Sequence, residues 1–104
     1  MKFYVKWTES AEEQLLEAAL YIANSTGNVE DGRKLKNDVI EETEKLDLFP
    51  ERGFIPRDRI IRKKGFRGLI IGRYIAFYKV YPDVQYVVIE AFVPMKADYK
   101  RFIL

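Results

Sequence analysis

Cysteine and histidine are both missing from the 104 residues. Without cysteine there is no disulfide, no thiolate nucleophile and no Cys-ligated zinc. Without histidine, every catalytic scheme with an imidazole base falls away, and so does the commonest metal ligand. A histidine-based ribonuclease, a Ser-His-Asp triad and a His-ligated metal centre are therefore excluded. Long apolar runs are missing too. The opening Met1-Lys2-Phe3-Tyr4-Val5-Lys6-Trp7 lacks the apolar stretch of a signal peptide, and no segment approaches transmembrane length. These absences point to a soluble cytoplasmic protein with no membrane partner. Repeats, linkers and low-complexity segments are absent as well, and the length suits one domain, residues 1–104, with a single core.

What the chain does have is charge, unevenly placed. Between Arg52 and Arg73 lie eight Lys or Arg residues and one acid, Asp58. The first 51 residues hold twelve acids against six bases, so the formal charge runs −6, then +7, then +1 over Tyr74–Leu104, for a total of only +2. A concentrated positive field attracts polyanions or an acidic protein whatever the net charge.

Periodicity supplies the elements. Phe3, Val5 and Trp7 alternate with Tyr4 and Lys6, as in a strand. Ser10-Ala11-Glu12-Glu13 fits a capping box ahead of Ala11, Leu15, Ala18, Ala19 and Ile22 at helical spacing, with Gly27 as the stop. Asn28 is placed to cap a second helix whose apolar positions Leu35, Val39, Leu46 and Phe49 run to Pro50. Residues 49–64 read as loop. Phe66–Ile71, Ile75–Tyr81 and Tyr86–Val93 then read as three antiparallel strands, separated by Gly72-Arg73 and Pro82-Asp83 turns. The order β-α-α-β-β-β predicts an α+β fold. An N-terminal strand and an antiparallel two-helix hairpin pack on one face of a small, mainly antiparallel sheet, with a short C-terminal segment at the end. In Ile75–Tyr81 both alternate sets are mostly apolar, so the second sheet face needs a cover, either the C-terminal segment or a partner.

Two groups of residues carry candidate chemistry. Arg57, Arg59, Arg62, Lys63, Lys64, Arg67 and Arg73 form a candidate phosphate-binding or target-binding surface, with Phe66 and Tyr74 among them as possible stacking groups. Near the C-terminus, Tyr99 stands among Lys96, Lys100 and Arg101, where neighbouring cations favour loss of the phenolic proton. Isolated Lys-Tyr groupings are commonplace, and a packed tail is the structural alternative. The paired carboxylates Glu12/Glu13 and Glu41/Glu42 diverge around their helices. Gly65 and Gly68 flank Arg67 outside any strand–loop–helix context. Nothing in the sequence calls for a nucleotide cofactor or a metal.

The stretch Gly65-Phe66-Arg67-Gly68-Leu69-Ile70-Ile71-Gly72-Arg73-Tyr74-Ile75-Ala76-Phe77-Tyr78-Lys79-Val80 resembles the strand pair of the RelE/ParE toxin superfamily, the toxic halves of type II toxin–antitoxin (plasmid stabilisation) modules. Trp7-Thr8-Glu9-Ser10-Ala11 resembles the opening strand-to-helix segment of that family. Leu46 with Phe49-Pro50-Glu51-Arg52-Gly53 resembles its second-helix exit, and Asp98-Tyr99 its closing motif. The resemblance implies a growth-inhibiting toxin neutralised by an acidic antitoxin, with Ile75, Phe77 and Tyr81 as antitoxin contacts.

The resemblance also names the catalytic groups of a ribosome-dependent mRNA endonuclease of the RelE type: Arg67, Lys96 and Tyr99. Leu69 and Ile75 stand where such nucleases tend to carry cations. Pro94 stands at a frequent histidine position, and Lys96-Ala97 replaces a pair of arginines. The long helices and the Gly-Arg-Tyr-Ile-Ala-Phe-Tyr strand resemble the ParE branch, which inhibits DNA gyrase by binding. The expectation is accordingly a gyrase-binding toxin, with the mRNA endonuclease, or an inactive homologue serving as a binding module, as alternatives.

Overall fold

The computed structural model describes residues 2–98. Strand β1 (Tyr4–Trp7) leads into helix α1 (Glu9–Thr26). Thr8 caps that helix, its hydroxyl oxygen accepting from the Ala11 amide at 3.1 Å. The expected Ser10/Glu13 box is thus displaced by two residues, because Thr8 is the last extended residue before the chain turns and Ser10 already lies inside the helix. Gly27 ends α1 in the left-handed region at φ 71°, and Asn28 caps helix α2 (Val29–Glu44) by accepting from the Glu30 amide. A turn of 3₁₀ helix, Lys45–Asp47, follows. The helices approach closely near their connecting turn: a Cβ on Gly32 would meet the Ala19 carbonyl oxygen at 2.5 Å.

The segment read as loop contains a short helix, α3 (Arg59–Lys63), capped by Asp58. Strands β2 (Arg67–Ile71), β3 (Tyr74–Tyr81) and β4 (Tyr86–Pro94) form the expected antiparallel meander. The sheet order is β1-β4-β3-β2, with β1 added parallel to β4. Pairing is Phe77 with Ala91 and Tyr78 with Ile89, so Glu90 is bulged out of the ladder. α1 closes around this defect. The Thr8 hydroxyl donates to the Glu90 carbonyl, and the Gln14 side-chain oxygen accepts the Phe92 amide at 2.7 Å.

Two cores result, one on each sheet face. Beneath the hairpin lie Ala11, Leu15, Val39, Leu46, Leu69, Ile71, Ala76, Tyr78, Val87, Ile89 and Phe92. On the other face Ile61 of α3 joins Phe66, Ile75, Phe77, Ala91 and Val93, with Ala97 packed against them. The apolar excess on β3 therefore has a cover inside the chain, supplied mainly by a helix too short to show a period. Phe49, expected in the core, is 65% exposed, because the second helix ends before it.

Candidate functional site

The sheet separates the charges. Residues 9–44, which make up the hairpin, carry ten acids against three bases, a net of −7 on one face. The cations of residues 52–73 are carried largely by α3 and the loop before it, on the opposite face. Arg57, Arg59, Arg62, Lys63, Lys64 and Arg73 are all exposed. Among the described residues, none of these six takes part in a salt bridge; the nearest in sequence that does is Arg52, 3.9 Å from Glu42. The hairpin's acids lie across the sheet, and none of them pairs with these six cations among the described residues.

The cations do not gather at one end of the sheet. Ile61 anchors α3 on the open face, and Arg59, Arg62 and Lys63 are carried there. Arg73 sits in the β2–β3 turn, and its carbonyl accepts the Met95 amide at 2.9 Å, which brings exposed Lys96 to the same end. Arg67 starts β2 at the other end, opposite Tyr78. From Arg67 to Ile71 the strand rises about 13 Å, so Arg67 and Lys96 do not converge. Tyr99 lies outside the described residues.

Arg67 has a structural occupation. One guanidinium nitrogen donates to the Glu51 and Gly53 carbonyls at 3.1 and 3.0 Å. Its cross-strand partner Tyr78 completes the clamp: the hydroxyl accepts the Gly53 amide at 2.9 Å and donates to the Pro50 carbonyl at 2.8 Å. A Cβ on Gly53 would stand 2.6 Å from that hydroxyl, which is why glycine is needed there. Burial pushes the Tyr78 phenol above the usual tyrosine range, offset in part by the Gly53 amide and by Arg67. Sequence reading had no access to this clamp, because its four bonds join segments fourteen to twenty-eight positions apart.

Ile75 and Phe77 are 6% and 0% exposed beneath Ile61 and Phe66, so neither presents a surface to an antitoxin in this conformation. Tyr81, 41% exposed, does. Phe66 is buried, with Lys79 over its ring at 4.5 Å, and Tyr74 stacks on Phe92 at 4.9 Å, so both rings belong to the cores. Among the described residues no group of three or more acidic side chains is arranged to hold a metal ion, and no helix is long and apolar enough to cross a membrane.

The family model for the ParE toxin of type II toxin–antitoxin systems, parDE, matches residues 5–99. The chain belongs to this family. The toxin is also similar in fold to solved structures. Against the chromosomal ParDE toxin–antitoxin system of P. aeruginosa the TM-score is 0.73 at 19% identity, covering 89% of this chain and 96% of that one. Against the RelBE2 toxin–antitoxin complex of Mycobacterium tuberculosis it is 0.68 at 19% identity, covering 90% and 99%. A mutant of the E. coli toxin RelE in the free state gives 0.66 at 10% identity, covering 99% and 96%. Among curated proteins none matches the toxin. The neighbours thus include both ParE-type and RelE-type toxins on one fold.

Proposed function

We propose that this toxin arrests growth by binding a macromolecular target through the cationic face of α3, without chemistry on that target, and that the target is DNA gyrase. The observation that carries the reading is the contrast between the arginines. Six exposed cations stand outside every salt bridge of the described residues, whereas Arg67, the strand cation a nuclease would use, is engaged in holding the Pro50–Gly53 loop. A surface of exposed cations favours docking and fast association. It does not assemble a proton donor and acceptor around one bond.

The same surface accounts for silencing. An acidic antitoxin segment laid over α3 would neutralise it, and two of the solved relatives are toxin–antitoxin assemblies. Primer-extension mapping of a translated message after induction tests the proposal. The expected result is an intact message together with DNA damage and failed supercoiling. Cuts inside translated codons, abolished by Tyr99→Phe while antitoxin binding is retained, would establish the RelE-type nuclease instead. An induced chain that does neither, and leaves growth unaffected, would be the inactive homologue.

A further inference from the structure

Helix α3 packs with Ile75, Phe77, Ala91 and Val93 on the open sheet face, and the same face carries two further cross-strand rows. Tyr4, Tyr86 and Tyr81 are direct register partners on β1, β4 and β3. Two residues along each strand, Lys6, Val88 and Lys79 form the next row. Partnered residues share a face, and this one is opposite the hairpin, since Val5 and Trp7 on β1 turn into the hairpin core. Tyr4 and Tyr81 are 63% and 41% exposed.

The row is held in place by backbone. The β3–β4 turn closes with the Gln85 amide donating to the Pro82 carbonyl, and Gln85 adopts φ 58°, which returns Tyr86 to a position opposite Tyr81. The Tyr4 amide then donates to the Gln85 carbonyl at 2.8 Å and fixes β1 in register. The Tyr4 and Tyr86 rings lie 5.7 Å apart at 41°, with the Lys6 ammonium 5.3 Å above the Tyr86 ring.

We infer that this row is a base-stacking platform for single-stranded nucleic acid. The exposed phenol rings of Tyr4 and Tyr81, on the strands either side of the half-buried Tyr86, offer π-faces without reading base identity. Lys6 is exposed and makes no salt bridge among the described residues, so its ammonium over Tyr86 is free to meet a backbone phosphate. Lys79 is shared with Glu90 at 3.9 Å and lies over Phe66, which follows Lys63 and Lys64 of the α3 exit. The second row thus reaches the core on which α3 sits. Asp83 in the β3–β4 turn and Glu90 on Lys79 are acids beside the row. Aromatic rings backed by cations favour a polyanion with stacking bases over an acidic peptide, which offers charge without planar rings. The inference is independent of the gyrase reading.

The test titrates the full chain into fluorescein-labelled oligo(U) and oligo(dT) of ~12 nucleotides and reads anisotropy, the two sugars distinguishing RNA from DNA. Tyr4→Ala and Tyr81→Ala are each expected to weaken binding on the order of tenfold, with Tyr→Phe at the same positions restoring it. Lys6→Ala is expected to flatten the salt dependence by about one phosphate's worth. Circular dichroism confirms that each variant is folded. Three results would overturn the inference: no binding to either oligomer, equal binding to a duplex of the same length, or affinity that ignores the tyrosines and follows only the α3 cations.

Discussion

At the scale of single residues, Tyr78 and Arg67 show how little a side chain's type says about its use. Side by side on β3 and β2, they spend their polar atoms on the backbone of one loop. Tyr78→Phe should cost about 1–3 kcal/mol, because it leaves the buried Gly53 amide without this partner and removes a bond to the part-buried Pro50 carbonyl; denaturant melts measure this directly. The pH dependence has a defined sign. The folded phenol titrates above its unfolded value, so its stabilisation is complete below about pH 10 and is lost as pH rises through the folded pKa. Above pH 10, Tyr78→Phe should lose less stability than the parent does. Phe77 is a second case. It is fully buried in the smaller core, and Phe77→Ala is expected to cost about 3–5 kcal/mol. A loss near zero would mean that α3 does not stay on the sheet.

At the scale of elements, what was legible had either a period or a stop. The hairpin announced itself through apolar spacing, Gly27 and Asn28, and the meander through branched and aromatic alternation between turns. Helix α3 was hidden because five residues cannot display a helical period, and its apolar contribution is essentially Ile61. The signal was Asp58, whose carboxylate accepts from the Ile60 and Ile61 amides at 3.0 Å each. Asp58→Ala is expected to cost about 1 kcal/mol and to raise hydrogen exchange selectively at residues 60–64; protection left unchanged there would refute the capping role. The Glu90 bulge and the parallel placement of β1 were also beyond sequence reading. Both depend on which strands become neighbours, and no local pattern records that.

At the scale of the whole molecule, the charge asymmetry was visible along the chain but its geometry was not. A separation of −6 and +7 by position became a separation by sheet face, with acids on the hairpin and cations on α3. That arrangement explains why a chain of net charge +2 can present an exposed cationic surface. It also explains why the candidate contacts divided as they did. Ile75 and Phe77 were absorbed as α3's footing, while Arg57, Arg59 and Arg62 were left outside.

Inhibition of supercoiling by purified gyrase, measured with the parent toxin and with the folded Arg57→Glu/Arg59→Glu/Arg62→Glu variant, tests this most directly. The parent is expected to inhibit, and the variant to be weaker by at least about tenfold. Full inhibition by the charge-reversed variant, or none by the parent, would contradict the account.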